Sequence, residues 1–393
     1  MIQEIHQLSS KHLERVISIR RHIHRNPELS FKEYETAAFV SSILTESGIE
    51  FTPGVAGTGI VATIKGREAH SRTIALRADM DALPIVEQTG VEYQSVNQGV
   101  MHACGHDVHT SSLLGAAMIL HDLREYWNGT VRLIFQPGEE VLPGGASLMI
   151  KEGIFETIKP QSIYGQHVFP ELPAGTVGFR PGKYMASCDE LYLTVKGKGG
   201  HGAKPDKTID PVLISAHLII ALQQVVSRWS NPQMPSVLSI GKVEAKGATN
   251  IIPNEVTMLG TFRTFDETWR GEAHTRMKEL AYGLVKSMGG ELDFDLDIGY
   301  PVLFNDEKLT MEARTLAEEF LGKDKVVDLD MRTTAEDFAY YSHHMPACFY
   351  RLGTAAADGS HSYPVHNSKF NIDESALHTG MGLMAYLAVK GSI

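Results

Sequence analysis

Val131-Arg132-Leu133-Ile134-Phe135-Gln136-Pro137-Gly138-Glu139-Glu140 is an apolar run that breaks at a proline and a glycine and ends on two carboxylates. Its length and apolar content read as a buried strand, and Pro137-Gly138 as the turn that closes it. Carboxylates just beyond the carboxyl end of a buried strand stand where open α/β sheets place their sites. Outward from this segment the rhythm remains strand–helix–strand. Short apolar runs at 59–64 and 73–77 precede it, a helix is expected at 109–123, and a further strand at 162–167 follows. Helices are also expected at 9–25, ending before Asn26-Pro27, and at 33–47, stopped by Gly48. Alternation of this kind implies an α/β layer with a largely parallel sheet.

Around Met185 the pattern changes. Strands at 191–195, 236–243, 255–263 and 291–298 and helices at 210–228 and 267–288 follow the order β-α-β-β-α-β. That is the order of a ferredoxin-like α+β sandwich. After Tyr300-Pro301 the α/β pattern resumes, with helices near 309–321, 335–341 and 374–389. The expected organisation is a discontinuous catalytic domain, 1–184 and 299–393, with a second domain inserted at 185–298.

The chain has 393 residues, which suits two domains, and its 43% hydrophobic and 21% charged content is that of a globular protein. A net charge of −11 argues against nucleic-acid or anionic-membrane partners, which call for a basic face. Met1-Ile2-Gln3-Glu4-Ile5-His6-Gln7 shows no apolar core of a secretory signal, and the longest apolar stretch, 212–226, is interrupted by Ser215, His217, Gln223 and Gln224. No membrane span and a cytoplasmic location are therefore expected. Cys104, Cys188 and Cys348 are odd in number and widely spaced, which suits a reducing compartment without a disulfide framework.

The densest chemical cluster is Met101-His102-Ala103-Cys104-Gly105-His106-Asp107-Val108-His109. Cysteine, histidine and carboxylate are the side chains that bind borderline metals. Cys104 and His106 are two apart, and Gly105 permits the left-handed turn that aims both inward. A helix start with incidental histidines would explain any one of these residues; five metal-competent residues in nine favour a site. Glu139 and Glu140 offer one metal ligand and one general base, against the plainer reading of a solvated acidic turn. His167 follows an apolar run, and His366 lies in Ser362-Tyr363-Pro364-Val365-His366-Asn367, a loop after the strand expected at 347–352. Either histidine alone would pass as structural. Asp79 and Asp81, in Arg77-Ala78-Asp79-Met80-Asp81, share a face and could orient ligating histidines, or simply end a strand. Gly197-Lys198-Gly199-Gly200-His201-Gly202 matches a dinucleotide fingerprint, but Ala203-Lys204-Pro205-Asp206 separates it from the next helix, so a nicotinamide site is rejected. A glycine loop carrying His201 could instead present a donor to a developing oxyanion.

Together with Arg21-His22-Ile23-His24-Arg25-Asn26-Pro27-Glu28, Asn250-Ile251-Ile252-Pro253 and Pro364-Val365-His366-Asn367, these segments resemble, in order and over nearly the whole chain, the M20 family of metallopeptidases and amidohydrolases. Cys104, where other branches carry aspartate, is similar to the branch of hippurate hydrolases and N-acyl-amino-acid amidohydrolases. The resemblance implies a zinc-exopeptidase-like α/β/α catalytic domain with an inserted lid and dimerisation domain. It implies two divalent ions per subunit, zinc or manganese with nickel or cobalt as alternatives, bridged by Cys104. His106 and Glu140 would complete one ion's ligands, and His167 and His366 the other's. Glu139 would be general base and acid. His201 would complete the oxyanion site, from the neighbouring subunit of a homodimer. Asn250 and Arg263 would hold the substrate's carboxylate end. The implied reaction is hydrolysis of small N-acyl amino acids, with a dipeptidase or carboxypeptidase on the same scaffold as the rival enzyme. A non-catalytic metal-storage protein is the rival from another class, and the spare carboxylate of the Glu139-Glu140 pair argues against it. Oxidants are expected to inactivate the ion-free protein through Cys104.

Overall fold

The computed structural model describes residues 1–360 and 363–391, so Ser362 of the His366 segment lies outside the described residues. The chain divides into two compact units, Met1–Gly182 with Phe304–Met331 and Asp337–Ile393, and Lys183–Leu303 with Arg332–Glu336. The short crossing at 332–336 was not foreseen. It is held to the second unit by main-chain bonds between Arg332 and Tyr184 and between Ala186 and Arg332 (2.9 and 3.1 Å). Five residues are too few to show a periodicity.

The first unit is built on an eight-stranded sheet in the order Glu50–Val55, Gly59–Lys65, Thr130–Gln136, Thr73–Asp79, Ser162–Pro173, Ala347–Ala355, Val177–Phe179, Val326–Asp328. Its four central strands, Thr130–Gln136 to Ala347–Ala355, run parallel. Antiparallel pairs flank them. The mixed α/β layer is thus parallel where it carries the site. The helix His106–Asp122 is buried on every side from His106 to Leu120, because Ile2–Arg25 and Ala376–Lys390 pack along it. Gly115 makes that approach possible, since a Cβ there would come within 2.8 Å of Met381 and 3.0 Å of Val16. Truncating a core residue such as Leu113, fully buried here, typically costs ~2–5 kcal/mol.

The second unit holds a four-stranded antiparallel sheet in the order Ser236–Ala245, Glu255–Thr264, Asp189–Lys196, Glu291–Ile298, with helices Pro211–Leu222 and Glu267–Ser287. In chain order this is β-α-β-β-α-β. Asp210 caps the first helix by accepting from the Val212 and Leu213 amides (2.9 and 3.2 Å), with Pro211 at its first position. The helix expected at 210–228 changes after Leu222 into a π-helical turn, Val225–Trp229. By length and mean hydropathy (1.3), Pro211–Trp229 is apolar enough to cross a membrane. Its stripe of Ile214, Leu218, Leu222 and Val225 is buried in this unit's core.

Candidate metal centre

The carboxyl ends of the central strands supply most of the site. Thr73–Asp79 ends on Asp79, with Asp81 two residues beyond; Thr130–Gln136 runs into Glu139 and Glu140. The strand carrying His167 runs to Pro173 and does not stop at the histidine as expected. Thr73–Asp79, however, pairs with it only as far as Arg77 opposite Gly165, so His167 lies past the end of that ladder. The helix begins at His106, and Gly105 ahead of it is left-handed (φ 84°), as the spacing anticipated. A Cβ at Gly105 would meet Val168 at 2.5 Å, so this residue must be glycine on two counts. His366, at φ 65°, is held by its amide bond to Ala103 O (2.7 Å).

These elements bring Cys104, His106, Glu139, Glu140, His167 and His366 together. Two triads share the thiol, Cys104–His106–His167 and Cys104–Glu140–His366, each with its donor atoms within 4.8 Å of one another. His106 also groups with Glu139 and Glu140, its Nε2 3.9 Å from Glu140 Oε1, which is the pairing expected of it, while His167 and His366, expected to share an ion, fall in different groups among the described residues. His106 opens the helix beside the His167 strand, and Cys104 Sγ lies 3.5 Å from His167 Nε2. Glu140 lies between His106 and the His366 loop, with Oε1 3.3 Å from His366 Nε2. The donor set fits two borderline divalent cations. His106 Nε2 and Glu140 Oε1 are buried without a hydrogen bond, a costly state unless an ion meets them.

The surrounding groups aim these donors. Asp81 Oδ1 lies 3.1 Å from His106 Nδ1, so His106 Nδ1–H donates there, and loss of the second proton to an incoming cation would leave the lone pair on Nε2. Asp81 Oδ2 accepts from the Ser30 hydroxyl (2.6 Å) and the Glu140 amide (3.0 Å), tying the same carboxylate to both triads. His167 Nδ1–H donates to Val168 O (2.8 Å), leaving Nε2 toward the thiol. Asp79 was expected to orient ligands; it accepts from His109 at 2.6 Å and stands 3.6 Å from His106 Nε2.

Negative charge is in excess. Burial opposes the His106 imidazolium, but Asp79, Asp81 and Glu140 outweigh it and push its pKa up to about 10. Burial first, then the carboxylates Glu140, Glu139 and Asp79, push the Cys104 thiol well above its ordinary value. The ion-free protein therefore holds a protonated, weakly nucleophilic thiol, contrary to the expected oxidant sensitivity of that state. Divalent cations would reverse both effects.

Glu139 is buried, and its Oε1 receives the Asp337 amide at 3.4 Å. Asp337 gave no local signal in the sequence. Its carboxylate accepts from Arg77 (2.7 Å), Gln136 (2.8 Å) and the Ala146 amide (3.0 Å), and Arg77 also donates to Asp79 (2.6 Å) and Gln136 (2.9 Å). The Arg77-to-Asp81 run was the visible half of this hub. Behind the centre, buried Arg20 donates to Asp107 (2.7 Å) and Asn371 (3.0 Å), and His24 bridges Asp107 and Glu87 (2.9 and 3.1 Å).

In the second unit His201 and Asn250 are neighbours. Gly200–His201 pairs with Ile251–Ile252, and the Gly202 amide donates to Asn250 O (2.8 Å). Both side chains are exposed, and His201 Nδ1 accepts from the Ala203 amide (3.1 Å), which leaves the proton on Nε2. Arg263 is outside this pair. Its guanidinium is engaged with Asp189 O (3.5 Å), Phe262 O (3.2 Å) and the Thr261 hydroxyl of its own unit.

Comparison with known proteins agrees with this chemistry. Residues 75–390 match the profile of peptidase family M20/M25/M40. The chain is 41% identical over 364 residues to an N-acetyl-L-cysteine deacetylase of Bacillus subtilis, covering 93% of this chain and 85% of that one. It is 42% identical over 306 residues to an N-acyl-L-amino acid amidohydrolase of Geobacillus stearothermophilus, covering 78% and 82%. A crystal structure of a dinuclear metal binding peptidase of the M20 family from Bacillus subtilis superposes with a TM-score of 0.83 at 36% identity, covering 97% and 98%.

Proposed function

The chain belongs to peptidase family M20/M25/M40, and from that premise we propose that it is a two-metal amidohydrolase of N-acyl amino acids, releasing a carboxylate and a free amino acid. The observation that carries this reading is the pair of triads sharing Cys104, with Glu139 buried beside them and its carboxylate grouped with His106 and Glu140. Relatives named for deacetylation of N-acetyl-L-cysteine and hydrolysis of N-acyl-L-amino acids support the substrate class.

In this proposal Cys104, His106 and His167 would hold one ion, and Cys104, Glu140 and His366 the other; zinc or manganese would suit the donors, with nickel or cobalt as alternatives. Bound there, the pair of divalent ions supplies Lewis acidity and a water of lowered pKa. Glu139 accepts the proton of the attacking water and delivers it to the departing amide nitrogen. Burial keeps bulk water from replacing it. His201, with its proton on Nε2, donates to the developing oxyanion from a second copy in a homodimer, and Asn250 assists in holding the substrate's carboxylate. Arg263 is assigned a lesser part, since its donors are already engaged within its own unit. The three free cysteines suit a cytoplasmic setting.

The test joins elemental analysis to a substrate panel of N-acetyl, N-benzoyl and indoleacetyl amino acids and free dipeptides, with manganese or zinc added. About two ions per chain and turnover of the acylated amino acids are expected. Turnover of dipeptides alone would replace the proposal by a peptidase, and absence of metal binding would remove its basis.

A further inference from the structure

His109 stands among the metal-competent residues, and its ring nitrogens come within 4.8 Å of donors on Asp79 and His106. Read by proximity, these three form a further ligand group. The hydrogen bonds exclude that. His109 Nδ1–H donates to Asp79 Oδ1 at 2.6 Å, and His109 Nε2 accepts the Val168 amide at 2.9 Å. Both ring nitrogens are spent, and neither lone pair remains for an ion.

What the ring does instead follows from its neighbours. Arg77, fully buried, donates to Asp79 Oδ2 at 2.6 Å and fixes that carboxylate. Asp79 fixes the tautomer and plane of His109, and His109 takes the amide of Val168. The carbonyl of the same Val168 receives His167 Nδ1–H at 2.8 Å. Both main-chain polar groups of one residue are thus held by two histidines, whose ring centroids are 4.6 Å apart. His167 has its amide plane set by this grip, and its Nε2 is left pointing at Cys104 Sγ, 3.5 Å away.

We propose that His109 is a positioning residue: through Asp79 on one side and Val168 on the other it aims His167 into the Cys104–His106–His167 triad. This rests on the two-metal reading above. The triad of Glu140 and His366 does not depend on it, because those residues are tied to Asp81 and Ala103.

The test uses His109→Leu and His109→Gln in the full-length protein, loaded with zinc, dialysed, and analysed for metal. Glutamine carries a donor and an acceptor and can span Asp79 and Val168; leucine can do neither. H109Q is expected to keep the wild-type ion count. H109L is expected to keep one ion and to bind the other roughly 10–100-fold more weakly, the range typical of lost outer-shell partners. Two ions held with wild-type affinity in H109L, or equal loss in both variants, overturns the proposal. Should H109L fail to fold, cadmium-113 and nitrogen-15 NMR of the wild type decides. Coupling at His167 Nε2 with none at His109 is expected, and coupling at His109 makes it a ligand and ends the idea. Wild-type protein that binds no ion would instead sink the two-metal reading itself.

Discussion

Asp81→Asn separates an aimed metal site from a mere collection of donors. Three hydrogens converge on the Asp81 carboxylate, from His106 Nδ1 (3.1 Å), the Ser30 hydroxyl (2.6 Å) and the Glu140 amide (3.0 Å), and the residue is 1% exposed. A side-chain amide replaces one acceptor oxygen with a donor. If its NH2 faces His106, the imidazole must move its proton to Nε2 and can no longer ligate through that atom. If its NH2 faces Glu140, a buried amide loses its acceptor just where the second triad is anchored. Either orientation costs about 1–3 kcal/mol. At about 1.4 kcal/mol per tenfold, that is roughly a 10–100-fold loss of metal affinity, with little change in side-chain volume. Competition against a chromophoric chelator at neutral pH measures it. Affinity within about threefold of the wild type would refute the reasoning, since it would mean that Asp81 neither sets the His106 tautomer nor holds Glu140.

Glu139→Gln should leave both ions bound and lower kcat by about 10³-fold or more, read by elemental analysis beside turnover of the best acylated amino acid; near wild-type turnover would remove the base from Glu139. Iodoacetamide at pH 7.5 should leave Cys104 of the ion-free protein unmodified, because burial and the carboxylates around it keep the thiol protonated; rapid labelling seen by peptide mass mapping would contradict that charge picture. Arg20→Met should lower the urea midpoint by an amount equivalent to ~3–5 kcal/mol, since it breaks a fully buried ion pair and leaves Asp107 with His24 as its remaining partner. In the wild type, burial would raise the Asp107 pKa, but Arg20 and His24 hold it below its ordinary 3.8. Its contribution is therefore present above pH 3.8 and lost as pH falls through the depressed value. R20M should unfold at a higher pH on acid titration, and an unchanged acid midpoint would count against the pair.

Amino-acid order alone determined much of this protein. The strand ending in Glu139 and Glu140, the glycine between Cys104 and His106, and the β-α-β-β-α-β stretch are local patterns, because strand and helix periods and turn residues act over a few positions. They sufficed for the α/β layer, the donor types and the second unit's element order. Tertiary structure decided which donors meet. His106 meets His167 as well as Glu140, and Glu140 meets His366, because the helix starts beside one strand and the His366 amide is tied to Ala103, next to Cys104. Asp337, 260 residues from Arg77 along the chain, and the backbone grip of His109 on Val168 have no pattern in sequence. Such contacts are made between segments brought together by burial of the core, and their geometry exists only once that core has formed.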